Sequence, residues 1–321
     1  MTLSPVVEKL PILVLNPHNR CNCRCVMCDI WKRDNAQEIT RPQLDLQLES
    51  IERLGVEWVV FTGGEALMHS DLHGLCVPLR ERGIRLTLLS SGLLLERYSA
   101  QVIEDFDDLI VSLDGPAPVH DRIRRVDRAF DRLRAGVERI AALRPEFPIA
   151  GRCTVQRENS TALLDSWRAA HEIGLNSISY LAADLTSDLG FDAFNRRPGA
   201  PPDIAPDPTL LVAEIDRLIA TGECGAFIAE SPAKLQRIVR HFRGEAESPA
   251  CNAPWVSAVL EADGAVRPCF FQPPIGRLTN GTTLRDVLNG PQAIAFRQQL
   301  DIATNPICRR CVCSLNKRPA A

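Results

Sequence analysis

Long apolar segments are missing from this sequence. The longest apolar runs, residues 10–15 and 86–95, are short, and the second is interrupted by Ser90, Ser91 and Gly92. A helix that crosses a bilayer needs about 20 predominantly apolar residues in succession. The sequence therefore predicts no membrane span and no membrane partner.

An excess of one charge is also missing, since the formal net charge is −3 and both signs are spread along the chain. Binding to a nucleic-acid backbone needs a concentrated basic surface, so nucleic acid is not a predicted partner. Residues 1–9 do not show the basic segment and apolar stretch of a secretory signal. We therefore expect a cytoplasmic protein whose thiols stay reduced.

Cysteine, by contrast, is abundant, with 12 residues in a chain of 321. A chain of this length can bury a sizeable core, and disulfides are rare in a reducing cytosol. Metal ligation is thus the better explanation for most of the cysteines. The remaining composition, 45% hydrophobic and 24% charged, predicts one large α/β domain with a smaller appendage.

The first half of the chain alternates β-branched or Leu-rich runs with amphipathic stretches of helical spacing. This alternation is typical of a parallel sheet covered by crossover helices. Strands are predicted at residues 12–15, 56–62, 85–90, 108–113, 149–155 and 177–181. Helices are predicted at residues 42–54, 71–82, 97–105, 128–143 and 162–173. The charged residues of 121–134 are expected on a solvated helix face.

Five prolines between residues 197 and 208 indicate a surface connector. Helices are predicted after it at residues 209–220 and 232–242. A β-hairpin of residues 258–261 and 265–269 is predicted to turn at Asp263 and Gly264. The predicted domains are accordingly a core of residues 1–193, a connector with helices of residues 194–250, and a C-terminal domain of residues 251–321.

The strongest pattern is a group of three cysteines directly after the first predicted strand. Cys21, Cys25 and Cys28 have the spacing Cys-x3-Cys-x2-Cys, so one loop can bring three thiolates to one cluster. A closed iron–sulfur cluster takes four thiolates, and three leave one iron free for an outside ligand. Cys23 lies between these residues and could compete as a ligand.

With Asn19 and Arg20 before them, these cysteines resemble the signature of the radical S-adenosylmethionine (radical SAM) superfamily. The likeness continues after the next strands with Gly-Gly-Glu at 63–65, Ser-Ser-Gly at 90–92 and Ser-Leu-Asp-Gly at 112–115. The resemblance implies an α/β fold with a partial (β/α)6 TIM-like barrel. It also implies two cofactors, a 4Fe–4S cluster and S-adenosylmethionine.

The resemblance assigns roles to single residues. The three cysteines would bind the cluster, and the Gly-Gly-Glu motif would hold the methionine amino group, with the glycines giving the ligand close access to the backbone. The implied cofactor-binding residues are Gly63, Gly64, Glu65, Ser91, Ser112, Asp114 and Met27. Met27 stands where the family usually has an aromatic residue, and its thioether can also pack against a ring. Further family-like positions without an assigned role are His120, Asp121, Arg124, Phe130 and Asn159.

A second group of cysteines lies near the C-terminus and resembles the auxiliary-cluster domain known as SPASM/Twitch. The resemblance implies a small iron–sulfur cluster-binding domain and a second, auxiliary 4Fe–4S cluster. The predicted ligands are Cys251, Cys269, Cys308 and Cys311, with Cys313 as an alternative to Cys308 or Cys311. On spacing alone, these residues would also suit a structural zinc site. Zinc fits the N-terminal cysteines poorly, because they form a lone triple.

Three other cysteines, Cys76, Cys153 and Cys224, have no spacing partner and are predicted to fill the core as small hydrophobic side chains. Cys153 lies towards the end of the fifth predicted strand. If its side chain faced the substrate, it would be the best placed of the three to donate a hydrogen atom to a product radical.

The resemblance implies reductive cleavage of S-adenosylmethionine to a 5′-deoxyadenosyl radical, which abstracts hydrogen from a substrate. An auxiliary cluster fits a net oxidation, so we predict an oxidoreductase-type tailoring enzyme, reduced by a flavodoxin- or ferredoxin-type protein. A sugar- or aminocyclitol-like small molecule is the favoured substrate, because only twenty residues precede Cys21. One alternative is a maturase that cross-links or epimerises a ribosomal peptide. Another is a non-catalytic iron–sulfur electron-transfer protein.

Overall fold

The computed structural model describes residues 4–32, 37–185, 204–245, 250–279, 281–311, 313 and 315–317. Within these ranges the chain forms one nine-stranded sheet of order β6-β5-β4-β3-β2-β1-β7-β8-β9. Strands β1 to β6 pair in parallel, and β7 pairs in parallel with β1. The strands are β1 (Ile12–Leu15), β2 (Trp58–Phe61), β3 (Arg85–Ser90), β4 (Asp108–Ser112), β5 (Ile149–Val155), β6 (Ser177–Ala182), β7 (Ser257–Leu260), β8 (Ala265–Arg267) and β9 (Gly276–Arg277).

The sheet does not close, because β6 and β9 form its two ends. The α/β class with a partial barrel is therefore confirmed. The described helices are α1 (Arg41–Arg53), α2 (Leu72–Arg80), α3 (Leu95–Asp105), α4 (Ala117–Arg124), α5 (Ala129–Leu143), α6 (Leu163–Glu172), α7 (Pro208–Ala220), α8 (Pro232–Phe242), α9 (Ala253–Val256), α10 (Leu284–Leu288), α11 (Pro291–Gln299) and α12 (Pro306–Arg309). None of them is long and apolar enough to cross a bilayer.

Alternation along β5 shows how the sheet separates a core from an inner face. Ile149, Cys153 and Val155 belong to the apolar core that the sheet forms with the helices. Since successive side chains of a strand point to opposite faces, Arg152 and Thr154 lie on the other side. We call that side, turned away from the helices, the inner face of the sheet.

The exposed edge of β6 is partly covered by a loop before α8. The backbone of Ile178 donates to Phe227 and accepts from Ala229, over 2.8 and 2.9 Å. One step further along, the buried Glu230 carboxylate accepts from the Tyr180 backbone N–H at 2.9 Å. These contacts occupy backbone groups that a free sheet edge would offer to another chain.

The C-terminal hairpin extends the barrel's own sheet. β7 and β8 pair in antiparallel fashion, as predicted, and Gly264 takes a φ of +82° in the turn between them. The sequence did not predict that β7 continues the parallel sheet beside β1, with Ile12 opposite Ser257. A second contact joins α10 of the C-terminal part to the barrel, since Gln47 on α1 accepts from the Leu284 backbone N–H at 2.7 Å.

The predicted solvated helix face of residues 121–134 is confirmed for most of its charged residues, but it is divided between two helices and Arg124 is buried. The chain breaks between α4 and α5, where Arg125 and Arg128 take left-handed φ angles of 53° and 54°. His120 and Arg124 are buried on the sheet side of α4 rather than solvated. The reason is a buried partner in the loop after β4, Asp114, whose carboxylate lies 2.6 Å from the Arg124 guanidinium. Residues 186–203, which include the predicted boundary at 193–194 and the first ten residues of the predicted connector, lie outside the described residues.

Candidate active site and cluster-binding cysteines

The loop of residues 16–28, here called the cysteine loop, follows β1. Cys23 and Cys25 are buried in a small apolar cluster with Leu93 and Ala129. Cys21 and Cys28 pack against that cluster and are partly exposed. All three predicted cluster ligands thus lie together at the carboxyl end of a barrel strand, the end where such barrels carry their active sites.

Cys23 is the most buried of the four thiols and lies between two of the predicted ligands. Hydrogen bonds to Cys21 and Cys25 raise the pKa of Cys23 and lower the pKa of each of these neighbours. Burial raises the pKa of Cys28 to about 12. Cys23 is therefore placed as a neutral hydrogen-bond donor between Cys21 and Cys25.

His18 ties the cysteine loop to the Gly-Gly-Glu loop. Its Nδ1 accepts from the Arg20 backbone N–H at 2.9 Å, so its Nε2 carries the proton and donates to the Glu65 carbonyl at 2.8 Å. Burial lowers the pKa of His18 to about 4, which keeps the ring neutral. The Glu65 backbone N–H completes the connection by donating to the Arg20 carbonyl at 2.8 Å.

The two glycines before Glu65 make this close contact between the loops sterically feasible. A Cβ on Gly64 would lie 1.9 Å from the Arg20 carbonyl oxygen, far inside contact distance. A Cβ on Gly63, which has a φ of +99°, would lie 2.9 Å from the His18 carbonyl oxygen. The close approach seen at these glycines is therefore with the cysteine loop itself, and their contact with a ligand stays a prediction.

The Glu65 carboxylate is buried beneath the ends of β2 and β3. Oε2 accepts from the Ser91 backbone N–H at 2.8 Å and from Ser91 Oγ at 2.5 Å, while Ser90 Oγ lies 3.0 Å from Oε1. Burial raises the pKa of Glu65, and the serine hydrogen bonds oppose that shift. The structure thus joins Glu65 and Ser91, two residues that the sequence predicted separately.

A buried polar network lies beside the cysteine loop at the end of β4. Arg124 Nη2 lies 2.6 Å from Asp114, and Arg124 Nη1 donates to Cys25 Sγ at 3.6 Å. Asp114 also accepts from the Thr154 backbone N–H at 3.0 Å, and Asn159 Nδ2 donates to the Asp114 carbonyl at 3.0 Å. Asp114 is fully buried, so its carboxylate organises these protein groups.

Sequence reasoning left Arg124 and Asn159 without a role. The signal was present, because the family-like His-Asp-x-x-Arg pattern places Arg124 at the end of α4. The backbone explains the position: Arg24 N–H donates to the Arg124 carbonyl at 3.2 Å and Val26 N–H to the Ile123 carbonyl at 2.9 Å. The end of α4 is therefore bonded directly to the cysteine loop.

Cys153 lies in the core between β5 and α6 and is fully buried. Its Sγ accepts from Asn159 Nδ2 at 3.4 Å, and burial raises the pKa of the thiol. Its neighbours on the strand, Arg152 and Thr154, occupy the inner face instead. This position is that of a packing residue, so we do not include Cys153 in the proposed reaction site.

Polar side chains form a row across the inner face. Strand register places Ser112 beside Arg152 and Arg152 beside Ser179. Arg152 Nε lies 3.5 Å from Ser179 Oγ, and no carboxylate pairs with Arg152 within the described residues. Burial lowers the pKa of Arg152, yet an arginine stays charged. The row therefore presents a half-buried cation to the inside of the barrel.

The C-terminal cysteines gather around the start of the hairpin. Cys251, Cys269, Cys308 and Cys311 lie within electrostatic range of one another, and burial raises the pKa of Cys269 to about 11. Gln272 Nε2 donates to Cys308 Sγ at 3.3 Å. Cys313 is exposed and lies within range of Cys251 and Arg152. The four predicted ligands are thus brought together, and the fifth thiol is close by.

The C-terminal thiols suit either a zinc ion or a cluster by their chemistry alone. A zinc site needs its ligand atoms on one centre at roughly 2 Å, whereas a 4Fe–4S cluster spreads four thiolates over separate irons. In the parts of the chain that the structure describes, no three His, Cys, Asp or Glu side chains form a site for a single metal ion.

A parallel partial barrel with a three-cysteine loop at the end of its first strand defines a class of iron–sulfur enzymes that use S-adenosylmethionine. Sequence comparison agrees: the radical SAM superfamily matches residues 15–158, and an iron–sulfur cluster-binding domain, SPASM, matches residues 251–312. Residues 15–158 therefore form a radical SAM domain, and residues 251–312 form a SPASM iron–sulfur cluster-binding domain. The predicted cofactors are thereby confirmed, namely S-adenosylmethionine, a 4Fe–4S cluster and auxiliary iron–sulfur binding.

Curated relatives match over part of the chain. The chain is 30% identical to the Fe-coproporphyrin III synthase of Methanosarcina barkeri, over 39% of this chain and 32% of the relative. It is 27% identical to an AdoMet-dependent heme synthase of Oleidesulfovibrio alaskensis, over 48% of this chain and 40% of the relative. It is 26% identical to the pre-heme d1 synthase of Dinoroseobacter shibae, over 52% of this chain and 42% of the relative. The matched part spans less than half the length of each relative.

Solved structures share the whole architecture. SuiB of Streptococcus suis bound to S-adenosylmethionine superposes with a TM-score of 0.69 and 15% identity, over 96% of this chain and 73% of SuiB. SuiB bound to the precursor peptide SuiA gives a TM-score of 0.68 and 13% identity, over 96% and 72%. The enzyme anSMEcpe with bound AdoMet superposes with a TM-score of 0.68 and 16% identity, over 91% of this chain and 83% of anSMEcpe. At these identities the likeness establishes the fold.

Proposed function

We propose that this chain removes a hydrogen atom from a small-molecule substrate and oxidises it, with S-adenosylmethionine as the radical source. The observation that carries the proposal is the connection of the cysteine loop to Glu65 through His18, at the end of the barrel where Ser91 and Asp114 also lie. When bound, the reduced cluster and S-adenosylmethionine supply a 5′-deoxyadenosyl radical. The protein supplies the binding and orientation of the reacting groups.

In this proposal Cys21, Cys25 and Cys28 bind the first cluster. Glu65 accepts a hydrogen bond from the methionine amino group, which is consistent with its ionised form receiving bonds from Ser91 already. Desolvation strengthens such a contact, because a buried carboxylate interacts with a cation in a medium of lower dielectric constant than water. Gly63 and Gly64 contribute backbone to the same subsite.

The nucleoside part of the cofactor is assigned to the next strand ends. Ser91 and Ser112 provide hydroxyl groups there, and Asp114 keeps the loop after β4 in place through Thr154 and Arg124. Met27 packs against the cysteines of the apolar cluster and is partly buried, a position suited to contact with an adenine ring. These roles remain proposals for the individual residues.

The auxiliary cluster is assigned to Cys251, Cys269, Cys308 and Cys311. Hydrogen bonds from Asn252 hold the returning C-terminal segment beside Cys251, since Asn252 N–H donates to the Leu315 carbonyl at 2.7 Å. Cys313 is kept as the alternative to Cys308 or Cys311. An auxiliary cluster at these cysteines would accept the electron that the substrate gives up when it is oxidised.

A small anionic molecule is the proposed substrate class. Arg152 lies on the inner face without a carboxylate partner in the described part of the chain, and Ser112 and Ser179 flank it. A desolvated guanidinium binds carboxylate or phosphate in bidentate geometry. The curated relatives carry names of enzymes that make tetrapyrroles, which are small molecules. A neutral sugar or aminocyclitol would leave Arg152 unpaired.

A peptide substrate is the second candidate, because SuiB was solved with its precursor peptide and anSMEcpe with a peptide bound. The two candidates make different demands on the barrel. A peptide would need backbone contacts along an open groove, whereas a small anion would depend on Arg152. An Arg152→Gln variant separates them, since only the small anion would lose its main partner.

The test begins with iron and sulfide analysis of anaerobically reconstituted protein, followed by a dithionite-driven assay for 5′-deoxyadenosine. The proposal expects about eight irons in the wild type and about four in a Cys21/Cys25/Cys28→Ala variant without cleavage. Candidate substrates labelled with deuterium are then screened for transfer of label to 5′-deoxyadenosine. No 5′-deoxyadenosine from the wild type would refute the proposal, and about four irons would remove the auxiliary cluster.

A further inference from the structure

The surface beside the cysteine loop carries a small net positive charge, although the whole chain is acidic. Residues 121–134 contain six arginines and three aspartates, whereas the chain as a whole has a net charge of −3. Arg124 is buried and pairs with Asp114, so it does not contribute to the charge of this surface. The other arginines of this stretch are exposed or half-exposed, so the excess positive charge faces solvent.

The basic surface is centred on the break between α4 and α5, residues 125–128, which we call the arginine turn. Arg125 and Arg128 are the two non-glycine residues with positive φ in the described ranges. Both side chains are exposed. Arg128 pairs with Asp131 at 3.2 Å, whereas Arg125 has no hydrogen-bond or ion-pair partner within the described residues. The turn also contains the exposed Asp127, which forms no ion pair with Arg125 in the described residues. Arg125 is therefore a cation that an external partner can reach.

The arginine turn lies directly on the cysteine loop. Val126, inside the turn, and Ala129, just after it, pack against Cys23 and Cys25. The two backbone hydrogen bonds from Arg24 and Val26 to the end of α4 fix the same contact from the other side. Arg125 and Arg128 are therefore each adjacent in sequence to a residue that packs against the cysteine loop.

Arg24 adds a further cation to this surface from within the cysteine loop itself. It is exposed, and its guanidinium lies 5.8 Å from the centre of the Trp31 ring. Its position between Cys23 and Cys25 shows that the outer side of the loop reaches solvent here. A partner bound at this surface would come close to the cluster without entering the barrel.

We infer that the arginine turn, together with Arg24, is the docking surface for an acidic flavodoxin-type protein that delivers the electron to the cluster of the cysteine loop. The inference rests on the function proposed above. In this electron transfer, the anionic flavin hydroquinone of the carrier loses one electron and the oxidised cluster gains it. The carrier then remains as the neutral semiquinone. Opposite charge steers such an encounter and makes its rate dependent on salt.

The test compares two double variants of the reconstituted protein with equal change in net charge. The first is Arg125→Gln/Arg128→Gln. The control is Arg139→Gln/Arg168→Gln, which also removes one ion-paired and one unpaired exposed arginine, but from the body of α5 and from α6. Binding of a purified flavodoxin is measured by interferometry, and bleaching of the cluster absorbance by flavodoxin hydroquinone is followed by stopped flow.

For the arginine-turn variant we expect about tenfold slower association and slower bleaching at low ionic strength. The difference from wild type should shrink at high ionic strength, where exposed charges are screened. With dithionite as reductant, all three proteins should bleach and cleave S-adenosylmethionine alike. Equal flavodoxin binding by the arginine-turn variant, or equal loss in the control variant, would overturn the inference.

Two further outcomes separate this inference from the proposed function. If the arginine-turn variant also lost dithionite-driven cleavage, the arginines would act on the site itself and the docking surface would be refuted. If the wild type gave no 5′-deoxyadenosine with dithionite, yet showed salt-dependent flavodoxin binding that the arginine-turn variant lacked, the proposed function would fail and the docking surface would stand.

Discussion

The Arg124 guanidinium and the Asp114 carboxylate lie 2.6 Å apart, and both side chains are buried. The pair joins the loop after β4 to the cysteine loop, because the same guanidinium donates to Cys25 Sγ at 3.6 Å. Removing one partner of a buried ion pair leaves an uncompensated charge in the interior. The position of Cys25 in the cysteine loop therefore depends on a contact outside that loop.

We predict that Arg124→Met lowers the free energy of unfolding by about 3–5 kcal/mol, since it leaves Asp114 buried and unpaired. Arg122→Met is the matched control on the same helix, because Arg122 is exposed and pairs with Glu158. Its expected effect is below about 1 kcal/mol. Urea denaturation of both variants measures the difference, and similar values for the two would argue against a structural role for the buried pair.

Cys23 tests which thiols hold the first cluster. The thiol lies between Cys21 and Cys25 as a hydrogen-bond donor and is buried against Leu93. We predict that Cys23→Ala retains about four irons at this site, whereas Cys25→Ala loses them. Iron analysis and the spectrum of the reduced cluster give the comparison. Loss of iron from the Cys23 variant alone would replace Cys21 or Cys25 by Cys23 in the ligand set.

The parallel strands and the cysteine loop were predictable because their signals are local. Strands β1, β3 and β5 begin and end where the sequence places them, since β-branched and Leu-rich runs bounded by turn residues indicate strands. The motif cysteines needed only their spacing. The placement of Glu65 against Ser91 followed from parallel strand order, which puts successive strand ends along one edge.

Other features depend on contacts that local patterns do not show. Arg124 belongs to a charged stretch, and only its contacts with Asp114 and Cys25 show that its side chain is buried. Likewise, the hairpin at Asp263 and Gly264 was predictable, but the pairing of β7 with β1 joins residues about 245 positions apart. Alternation along β5 shows that successive side chains point to opposite faces, but it does not show which face the helices cover. The face of Cys153 could be assigned only from the structure, in which β5 is covered on one side and open on the other.

Gly64 offers a steric test of the contact between the two loops. A Cβ at Gly64 would lie 1.9 Å from the Arg20 carbonyl oxygen, so Gly64→Ala must push the Gly-Gly-Glu loop away from the cysteine loop. We expect destabilisation of at least about 1–3 kcal/mol, as for other overpacked sites, together with loss of iron from the first cluster.

Gly83→Ala is the control for Gly64→Ala. Gly83 has a φ of +69°, but a Cβ there would meet nothing within 4 Å. Its substitution should therefore cost about 1 kcal/mol through backbone strain and leave the iron content unchanged. Thermal unfolding and iron analysis of the two reconstituted variants make the comparison. Full iron content in Gly64→Ala would show that the loops can separate without loss of the cluster site.

His18 makes stability depend on pH in a defined direction. Burial lowers its pKa in the folded chain from 6.5 to about 4. Between these values the unfolded chain binds a proton that the native chain does not, so stability is complete above pH 6.5 and falls as the pH drops towards 4. The full effect is about 3 kcal/mol. A His18→Gln variant can keep both hydrogen bonds but cannot titrate, so its stability should fall less over that interval.

His73 serves as a control, because its contribution to stability depends on pH in the opposite direction. It pairs with Asp105 at 2.6 Å, and this contact raises its pKa, so its contribution is complete below pH 6.5 and is lost as the pH rises above that value. In urea titrations of the metal-free chain from about pH 4 to pH 8, His18→Gln should flatten the acid side of the profile and His73→Gln should alter the neutral side. Glu65 and His120 also titrate abnormally, and they are common to all three proteins. Asp105 loses its partner in His73→Gln, so its own titration changes in that variant alone. An unchanged acid slope in His18→Gln would mean that the ring is protonated in the native state, and its bond to the Arg20 N–H would then be absent.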